Sequence, residues 1–357
     1  MSTESGSLQI LRVIDASLNR AAEGLRFLED SARFILNDAV LTEQLKTLRH
    51  GIIPSDWPLQ KQLVQSRDSL GDVGFNLDIE GGKDKKSLPS AIVANSRRVQ
   101  EALRTLEEVA KTESATFPVS SGKFQQARFQ IYTIEKNLLS RLLRQDKAKL
   151  IKGLYAIIDT QALQDRNHLE ISRQVIRGGA KIIQLRDKIT VKKDLLPIAQ
   201  SMKNLCAEKG ALFIMNDNLD IALAVGADGL HLGQADLPVS VARKLAPIDM
   251  LIGCSVFNVA QAQQAVNDGA DYVAVGAIYP TPSKETVVLG LEPLRQIKQA
   301  VSVPVIAIGG ININNVAIVK KAGADAIAVI GAILGTDSPE QAARALINKF
   351  EAQKWDD

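Results

Sequence analysis

The spacing of hydrophobic positions divides the chain into two parts. From residue 1 to about 148, apolar residues recur at helical spacing, with a glycine-rich polar stretch at 71–87 and a loop-like segment at 112–123. From Lys152 onward, short β-branched runs alternate with amphipathic stretches. Such alternation is typical of repeated strand–helix units around a parallel sheet. The sequence therefore predicts a mainly helical N-terminal region followed by an α/β domain.

The α/β part contains eight strand candidates over about 205 residues. They lie at 153–158, 181–186, 212–216, 229–232, 250–255, 272–276, 305–308 and 326–330. Eight strands with helices between them match a (β/α)₈ TIM barrel in number and size. An open doubly wound sheet usually has fewer strands, and the G-x-G-x-x-G turn that often opens its nucleotide-binding form is missing after the first strand. A closed barrel is therefore the predicted fold.

Glycine positions predict which end of the barrel carries the chemistry. Four segments, GGAKIIQL, VGADGLHL, DGADYVAV and AGADAIAV, each end a predicted helix with glycine and continue into a strand. Glycine adopts the left-handed conformation that ends a helix at little cost, so these segments are expected to form structural turns at the bottom of the barrel. The polar residues that follow each strand then lie at the opposite rim, where barrel enzymes carry their active sites.

Length and composition bound the class of protein. A chain of 357 residues suggests two domains, and we predict a helical domain at 1–123, a helical connector at 124–150 and the barrel at 151–357. Hydrophobic content of 46% and charged content of 23% are near the globular average, which argues against disorder. No apolar run approaches the roughly 20 residues of a membrane span, and the first residues lack a signal-peptide pattern. A cytoplasmic protein without membrane partners is expected.

Charge and cysteine content narrow the set of partners. The net charge of +3 is weak and basic residues are interleaved with acidic ones, so nucleic acid is a poor candidate partner. Cys206 and Cys254 lie in apolar segments and are expected to be buried, reduced thiols. No histidine pair has the spacing of zinc ligands. Small-molecule substrates are the expected partners, and a homo-oligomer is left open.

Polar side chains follow most of the predicted strands. They are Gln184, Arg186 and Lys188 after the second strand, Asn216 and Asp217 after the third, His231, Gln234 and Asp236 after the fourth, Ser255 after the fifth, and Thr281, Ser283 and Lys284 after the sixth. The cations can neutralise phosphate oxygens, and Asp217 and Asp236 supply the oxygen ligands that Mg²⁺ prefers when it bridges to a diphosphate. The set predicts a diphosphate substrate carried with Mg²⁺. As an alternative, Asp217 could cap a helix that begins at Asn218, and Asp236 precedes a proline suited to a helix's first turn.

The last two strands are followed by glycines. Gly309 and Gly310 follow the seventh strand in IAIGGININNV and precede a helix, and Ile330-Gly331-Ala332 follows the eighth. Such segments bring backbone N–H groups against a phosphate, and barrels frequently bind phosphate at these two loops. His231, in GLHLGQ, is interpreted as a hydrogen-bonded structural histidine in preference to a rim group.

Six segments, in this order, resemble thiamine-phosphate synthase (thiamine phosphate pyrophosphorylase). They are QLRDK at 184–188, MNDN at 215–218, ADGLHLGQADL at 227–237, GCS at 253–255, GAIYPTPSK at 276–284 and AIGGI at 307–311, within a resemblance that covers about 150 to 350. The resemblance implies a transferase that joins 4-amino-2-methyl-5-(diphosphooxymethyl)pyrimidine to 4-methyl-5-(2-phosphooxyethyl)thiazole with the help of Mg²⁺. In the family the bond to pyrophosphate breaks first, and the thiazole nitrogen captures the resulting pyrimidine methylene cation.

The resemblance also implies a role for individual residues. The pyrimidine diphosphate would be bound by Gln184, Leu185, Arg186, Asp187, Lys188, Asn216, Ser255 and Lys284, Mg²⁺ by Asp217 and Asp236, and the thiazole phosphate by Thr281, Pro282, Ser283, Gly310, Ile330 and Gly331. The predicted catalytic groups are Arg186, Lys188, Ser255 and Lys284, because they would stabilise the negative charge that grows on pyrophosphate.

The chain departs from the family pattern at three positions. Family members often carry histidine at the position of Phe257, a second threonine at that of Ser283, and serine at that of Gly331. Serine keeps a hydroxyl and glycine keeps a backbone N–H, so we expect these two changes to be tolerated. Phe257 changes one contact at the rim.

The N-terminal region contains an internal echo, NRAAEGLRFLEDSAR at 19–33 and SRRVQEALRTLEEVAK at 96–111. The favoured interpretation is a pair of amphipathic helices with an apolar seam and Arg–Glu ion pairs on the surface. Alternatively the region is functional, because it is similar to a module proposed as an alternative kinase for hydroxymethylpyrimidine phosphate, and its loop SRDSLGDVGFN at 66–76 is unlike a linker. The G-x-x-x-x-G-K-[ST] nucleotide motif is missing.

Three other functions are less well supported by these residues. A thiazole tautomerase or regulatory paralogue would lack the metal aspartates and the diphosphate cations. An epimerase or indole-type synthase would need acid–base carboxylates or metal-binding histidines on other strands. An interaction protein would have no reason to gather charge around one barrel mouth. The residues therefore favour the synthase.

Overall fold

A computed structural model describes residues 3–54, 56–68, 87–112, 120–281 and 287–352. The chain forms two compact units, Met1–Leu143 and Arg144–Asp357. Most of the predicted polar stretch at 71–87 and of the predicted loop at 112–123 lies outside the described residues. None of the helices in the described ranges is both long enough and apolar enough to span a membrane.

The N-terminal unit is built from helices, as predicted. They are α1 (Thr3–Asp30), which continues into a π-helical turn (Ser31–Ile35), α2 (Ala39–Ile52), α3 (Trp57–Gln65), α4 (Leu88–Val109) and α5 (Ser121–Ala148). Asp38, Asp56 and Ser87 cap α2, α3 and α4, each accepting a hydrogen bond from a backbone N–H in the first turn of its helix. One apolar core joins all five helices.

The sequence echo between α1 and α4 corresponds to a structural repeat. The leucines at equivalent positions, Leu25 with Leu103 and Leu28 with Leu106, are all buried. The glutamates that follow, Glu29 and Glu107, are only 5% and 1% exposed. The predicted apolar seam is therefore confirmed, but the prediction of surface ion pairs is wrong for the acidic partners, because both carboxylates are buried.

The repeat extends into the helix that follows each glutamate. Glu29 accepts a 2.9 Å hydrogen bond from Arg49 Nε on α2, and Glu107 lies 3.1 Å from Arg128 Nη2 on α5. A buried carboxylate is expensive unless it is paired, so each arginine fixes its helix against the preceding one. Helix α5 also buries a row of apolar side chains in the helical core. The assignment of 124–150 as a connector stays a prediction.

Acid should weaken the N-terminal unit through Glu107. Burial raises the pKa of Glu107, but hydrogen bonds from Lys111 and Arg128 outweigh it, so the folded pKa lies below the usual value. The resulting stability is fully present above the unfolded pKa of about 4.3 and is lost as pH falls through the folded pKa. We therefore expect Glu107→Gln to lose less stability than the wild type between about pH 5 and pH 3.

Urea unfolding followed by circular dichroism at pH 7 and at pH 3.5 would measure this difference. Glu101→Gln is the matched control, because Glu101 is exposed on the same helix, and it should follow the wild type. Equal acid sensitivity of wild type and Glu107→Gln would contradict the prediction.

The second unit is a closed barrel of eight parallel strands in the order β1-β2-β3-β4-β5-β6-β7-β8. The strands are β1 (Gly153–Asp159), β2 (Ile182–Arg186), β3 (Leu212–Asn216), β4 (Gly229–Leu232), β5 (Leu251–Val256), β6 (Tyr272–Val275), β7 (Val305–Ile308) and β8 (Ala326–Val329). Every predicted strand is present and no boundary differs by more than one residue. The predicted barrel is confirmed.

Ten helices surround the strands in the described part of this unit. They are α6 (Thr160–Leu163), α7 (His168–Arg177), α8 (Lys192–Lys209), α9 (Leu219–Val225), α10 (Val239–Leu245), α11 (Val259–Asn267), α12 (Glu292–Ala300), α13 (Val316–Lys321), α14 (Gly331–Leu334) and α15 (Pro339–Glu351). One apolar cluster fills the space between strands and helices, and a second fills the barrel interior. Cys206 and Cys254 are buried free thiols, and burial raises their pKa to about 12 and about 11, respectively.

The Gly-Ala-Asp turns lie at the start of their strands, as predicted, and their aspartates have a structural role. Each aspartate lies just before one strand. It accepts a hydrogen bond from a backbone N–H at or near the start of the strand that comes one earlier in the sequence. The pairs are Asp228 with Phe213 N (2.9 Å), Asp271 with Ile252 N (2.8 Å) and Asp325 with Val305 N (2.7 Å). These carboxylates therefore connect β3 to β4, β5 to β6 and β7 to β8 at the end of the barrel opposite the rim.

Candidate active site

The carboxyl ends of the strands surround a cavity of about 710 Å³. The residues that were predicted as site residues and line it are Gln184, Arg186, Lys188, Asn216, Asp217, Asp236, Ser255, Thr281, Gly310, Ile330 and Gly331. Pro282, Ser283 and Lys284 lie outside the described residues. The rim that was predicted from strand ends is thus one continuous cavity.

Two residues of the QLRDK segment do not line this cavity. Leu185 is buried between the strands and the helices, because successive side chains of a strand point to opposite faces. Asp187 is buried and accepts hydrogen bonds from the backbone N–H groups of Ile189 (2.9 Å) and Thr190 (2.7 Å) and from Thr160 Oγ1 (2.7 Å). The structure therefore gives Leu185 a packing role, and it gives Asp187 the role of shaping the loop that follows β2.

Asp217 and Asp236 lie next to each other at one side of the cavity. The Asp217 residue has a φ of 56°, its N–H donates to the His231 carbonyl at 2.9 Å, and Asp236 accepts from the Gly233 N–H at 2.7 Å. Burial and the adjacent Asp236 carboxylate raise the pKa of Asp217, while Lys188 opposes this shift. Two close carboxylates repel each other, so the pair favours a bound proton or cation.

The alternative that these aspartates cap helices is wrong. The N-cap residues of α9 and α10 are Asn218 and Pro238, and neither cap has a side-chain hydrogen bond. Asp236 instead closes a turn within its own loop through Gly233. Their carboxylates therefore lie at the cavity without a capping role.

Both predicted cations on β2 and its loop are held by carboxylates. Lys188 Nζ forms an ion pair with Asp217, and Arg186 Nη1 forms one with Asp159 at the end of β1. Asp159 is buried and also accepts from the Ala162 N–H at 3.0 Å. Asp159 was missed, although the rule used for the other strands, the first polar residue after an apolar run, would have found it.

A polar network crosses the barrel at the floor of the cavity, and four of its five side chains, those of Gln184, Tyr155, His231 and Ser255, line the cavity. Gln184 Nε2 donates to Tyr155 Oη at 2.8 Å, and Tyr155 Oη lies 3.0 Å from Tyr272 Oη. Tyr272 Oη lies 3.3 Å from His231 Nδ1, and His231 Nε2 lies 2.9 Å from Ser255 Oγ. The interpretation of His231 as a hydrogen-bonded structural histidine agrees with these contacts. The sequence did not predict that the two tyrosines belong to this network, because an aromatic residue within an apolar strand is expected to be part of the hydrophobic core.

Burial keeps this histidine neutral. It lowers the pKa of His231 to about 4 and outweighs the opposing effect of Asp236. Burial likewise raises the pKa of both tyrosines. At neutral pH the network therefore consists of uncharged groups, each with a defined number of protons.

The opposite side of the cavity is formed by the loops after β7 and β8. Gly309 and Gly310 have φ values of 98° and 64°, and a Cβ on Gly310 would lie 2.5 Å from the Pro280 carbonyl oxygen. Asn315 Nδ2 donates to the Gly310 carbonyl at 2.9 Å. Gly331 begins α14, and a Cβ there would meet no atom within 4 Å. The fold thus needs glycine at 310, whereas a side chain at 331 would fit.

The carboxylate pair suits a cation that takes the rest of its ligands from substrate and water. In the described ranges, no group of three or more His, Cys, Asp or Glu side chains could hold a metal ion. Mg²⁺ is commonly bound by one or two carboxylates together with substrate phosphates. Asp217 and Asp236 therefore fit Mg²⁺ of this kind.

Comparison with known proteins finds a match for each unit. A family model described as thiamine monophosphate synthase matches residues 154–333, and one described as the ThiD2 family matches residues 12–137. Thiamine-phosphate synthase from Synechocystis sp. is 38% identical over 346 residues, covering 96% of both chains, and the one from Rhodopirellula baltica is 37% identical, covering 96% of this chain and 93% of its own.

A solved structure supports the same assignment for the barrel. Thiamine phosphate pyrophosphorylase from Pyrococcus furiosus is 39% identical, with a TM-score of 0.53, over 58% of this chain and 98% of its own. The matching relatives span nearly the whole chain, and their shared name denotes a transferase. The chain therefore belongs to the thiamine-phosphate synthase family.

Proposed function

We propose that the barrel condenses the pyrimidine diphosphate with the thiazole phosphate to give thiamine phosphate and pyrophosphate. The observation that carries this proposal is a single cavity with two polar sides. Arg186, Lys188 and Ser255 lie beside the carboxylate pair, and the glycine loops lie opposite them. Such a cavity can hold two phosphorylated substrates with their rings between the two sides.

The chain's own groups account for the main chemical requirement, which is to stabilise the leaving pyrophosphate. Arg186 and Lys188 would attract the charge that grows on its oxygens, and the Ser255 hydroxyl would donate to one of them. Mg²⁺ held by Asp217 and Asp236 would add positive charge at the same diphosphate. Lys284 is assigned to this group by its position after the sixth predicted strand and by the resemblance, and it lies outside the described residues.

The cavity floor is suited to the two rings. Ile157, Ala274, Ile306 and Ala328 contribute apolar surface between the two polar sides. A pyrimidine methylene cation formed there would be exposed to little water. The loops after β7 and β8 would hold the thiazole by its phosphate, so that capture of the cation becomes effectively unimolecular. In the described loops, the N–H groups of Gly310 and Gly331 make no backbone hydrogen bond and remain available to the phosphate.

A thiazole tautomerase or regulatory paralogue is the competing function. Phe257 lines the cavity at the position where the family often has histidine, and its N–H donates to Gln261 Oε1 at 2.9 Å. The adjacent carboxylates and Lys188 favour the synthase, because a tautomerase has no diphosphate to neutralise.

The deciding experiment is an assay that measures pyrophosphate and thiamine phosphate together. Both substrates are supplied with and without Mg²⁺. We expect equal amounts of both products, formed only with Mg²⁺. Folded protein that binds the thiazole phosphate but forms neither product would support the paralogue.

The glycine requirement at 310 leads to a substrate-specific prediction. Gly310→Ala adds a Cβ into the Pro280 carbonyl at a left-handed φ, so the loop must move. We expect KM for the thiazole phosphate to rise about ten-fold or more, with KM for the pyrimidine diphosphate changed less. Gly331→Ala is the matched control and should keep both KM values. If KM for the thiazole phosphate is unchanged in Gly310→Ala, the loop after β7 does not bind that substrate.

For the N-terminal unit we propose a kinase that phosphorylates the pyrimidine monophosphate and so makes the barrel's substrate. The match of residues 12–137 to the ThiD2 family supports this proposal. Part of the loop at 66–76 that suggested it lies outside the described residues. The full chain should make thiamine phosphate from ATP, the pyrimidine monophosphate and the thiazole phosphate. If the full chain consumes no ATP, and calorimetry detects binding of neither ATP nor the pyrimidine monophosphate, the kinase proposal is refuted and a structural role is left for the unit.

A further inference from the structure

The network of Gln184, Tyr155, Tyr272, His231 and Ser255 contains three aromatic side chains, those of Tyr155, Tyr272 and His231, that have no role in the function proposed above. It connects strands β1, β2, β4, β5 and β6, and four of its five side chains are buried. Tyr155, Gln184 and His231 line the cavity together with Ser255, and Ser255, at the end of the network, is the one member of the five that is not buried. Buried polar groups are costly unless every donor and acceptor is used, so the arrangement of protons along this chain is constrained.

We propose that this network is a hydrogen-bond relay with a fixed direction, which leaves the Ser255 hydroxyl proton free to donate to the diphosphate of the substrate. The proposal rests on the proposed synthase function. Tyr155, Tyr272 and His231 would be positioning residues that act through Ser255.

The direction is set at Gln184. Its Nε2 can only donate, so Tyr155 Oη accepts this hydrogen bond and must place its own proton elsewhere. Among the residues that the structure describes, Tyr272 Oη is the one other polar atom within hydrogen-bond distance of Tyr155 Oη. The Tyr155 proton therefore points to Tyr272.

The remaining protons follow in sequence. Tyr272 Oη accepts from Tyr155 and directs its own proton to His231 Nδ1, which must then be unprotonated. A neutral imidazole carries one proton, so that proton is on Nε2 and is donated to Ser255 Oγ. Ser255 Oγ is then an acceptor within the network, and its own proton is free to point into the cavity.

The opposite direction is less stable because it leaves a buried proton unpaired. If Tyr272 donated to Tyr155, Tyr155 Oη would accept twice, and its proton would have no acceptor among the described residues. Such a loss lowers the population of the arrangement by roughly ten-fold or more. His231 would then carry its proton on Nδ1, and Ser255 would donate to Nε2.

The two directions have opposite effects on an anion. A serine that donates to histidine presents lone pairs to the diphosphate and repels it. A serine that accepts from histidine presents its proton, and that hydrogen bond strengthens as negative charge grows on the leaving group. The Tyr272 ring is held in place for this task, since it stacks on His231 with ring centroids 5.7 Å apart.

The position of the His231 proton can be observed directly. The full chain contains three histidines, so ¹⁵N NMR of histidine-labelled protein can assign His231 by its loss in His231→Gln. We expect the wild type to carry the proton on Nε2, and Tyr272→Phe to increase the Nδ1-protonated fraction. A wild-type His231 protonated on Nδ1 would overturn the proposal, whether or not the protein has synthase activity.

Kinetics tests whether the network acts through Ser255. Tyr272→Phe should lower kcat about ten-fold while both KM values stay within about two-fold. In a Ser255→Ala background the same substitution should change kcat by less than about two-fold, because its effect passes through the missing hydroxyl. Tyr132→Phe, on the exposed side of α5, is the control and should leave kcat unchanged. Equal effects of Tyr272→Phe in both backgrounds would indicate a structural role and overturn the relay. A wild type that makes no thiamine phosphate would instead refute the proposed function, and NMR would still decide the direction.

Discussion

Replacing Asp217 by asparagine should lower kcat/KM for thiamine phosphate formation by about 100-fold or more. The substitution removes one of the two carboxylates proposed to hold Mg²⁺ at the diphosphate. Asparagine has nearly the same size and tolerates the φ of 56° at this position, so the backbone of the loop should stay as it is. Loss of activity would therefore report the missing charge.

Stability separates this effect from misfolding. The pKa of Asp217 is raised by burial and by Asp236, so at neutral pH the ionised Asp217 carboxylate disfavours the folded state. Removing it should leave Tm unchanged or higher. Asp220→Asn is the control, because Asp220 is an exposed aspartate three residues further on that pairs with Lys192. An active Asp217→Asn variant, or a Mg²⁺ requirement that is unchanged in it, would refute the assigned metal site.

Gly253→Ala should have the largest effect on stability. Gly253 lies in β5, and a Cβ there would lie 2.0 Å from Tyr272 Cζ and 2.5 Å from Tyr272 Oη. The ring is fully buried between Tyr155 and His231 and has no free space to enter. We expect the free energy of unfolding to fall by about 3 kcal/mol or more, with loss of synthase activity.

Two further variants make this result specific. Gly51→Ala in helix α2 should raise stability by about 0.5–1 kcal/mol, since a Cβ there meets no atom within 4 Å. Combining Gly253→Ala with Tyr272→Leu should recover part of the lost stability, because leucine ends before the point of collision. Denaturant unfolding of the four proteins measures both effects. A stable Gly253→Ala single variant would show that the barrel can shift around the ring.

The barrel could be predicted from sequence because its strands are buried on both faces. They appear as short apolar runs at regular intervals, and the rim follows from reading the first polar residue after each run. Strand alternation explains why Leu185, which was assigned to the site with the whole QLRDK segment, does not line the cavity. It places Gln184 and Arg186 toward the barrel interior and Leu185 toward the helices.

Other features depend on contacts between distant residues and were not predictable from local pattern. Asp187 serves its own loop through Thr160, which precedes it by a whole helix and strand. The hydrogen bond between Tyr155 and Tyr272 joins residues that are 117 positions apart in the sequence. The local pattern predicts surface glutamates at Glu29 and Glu107, because their partners on the following helices, Arg49 and Arg128, are distant in the sequence.

The two halves of the repeat in the N-terminal unit carry different residues where α1 meets α4. At the contact between α1 and α4, a Cβ on Gly24 would lie 2.5 Å from Val99 Cγ2, so the valine occupies the space that the glycine leaves. The equivalent positions in the other half carry Ala102 and Ala21, which are both buried. Each half thus complements its counterpart and would fit poorly against a copy of itself. In this respect the unit is comparable to a heterodimer within a single chain, in which both halves contribute to one core.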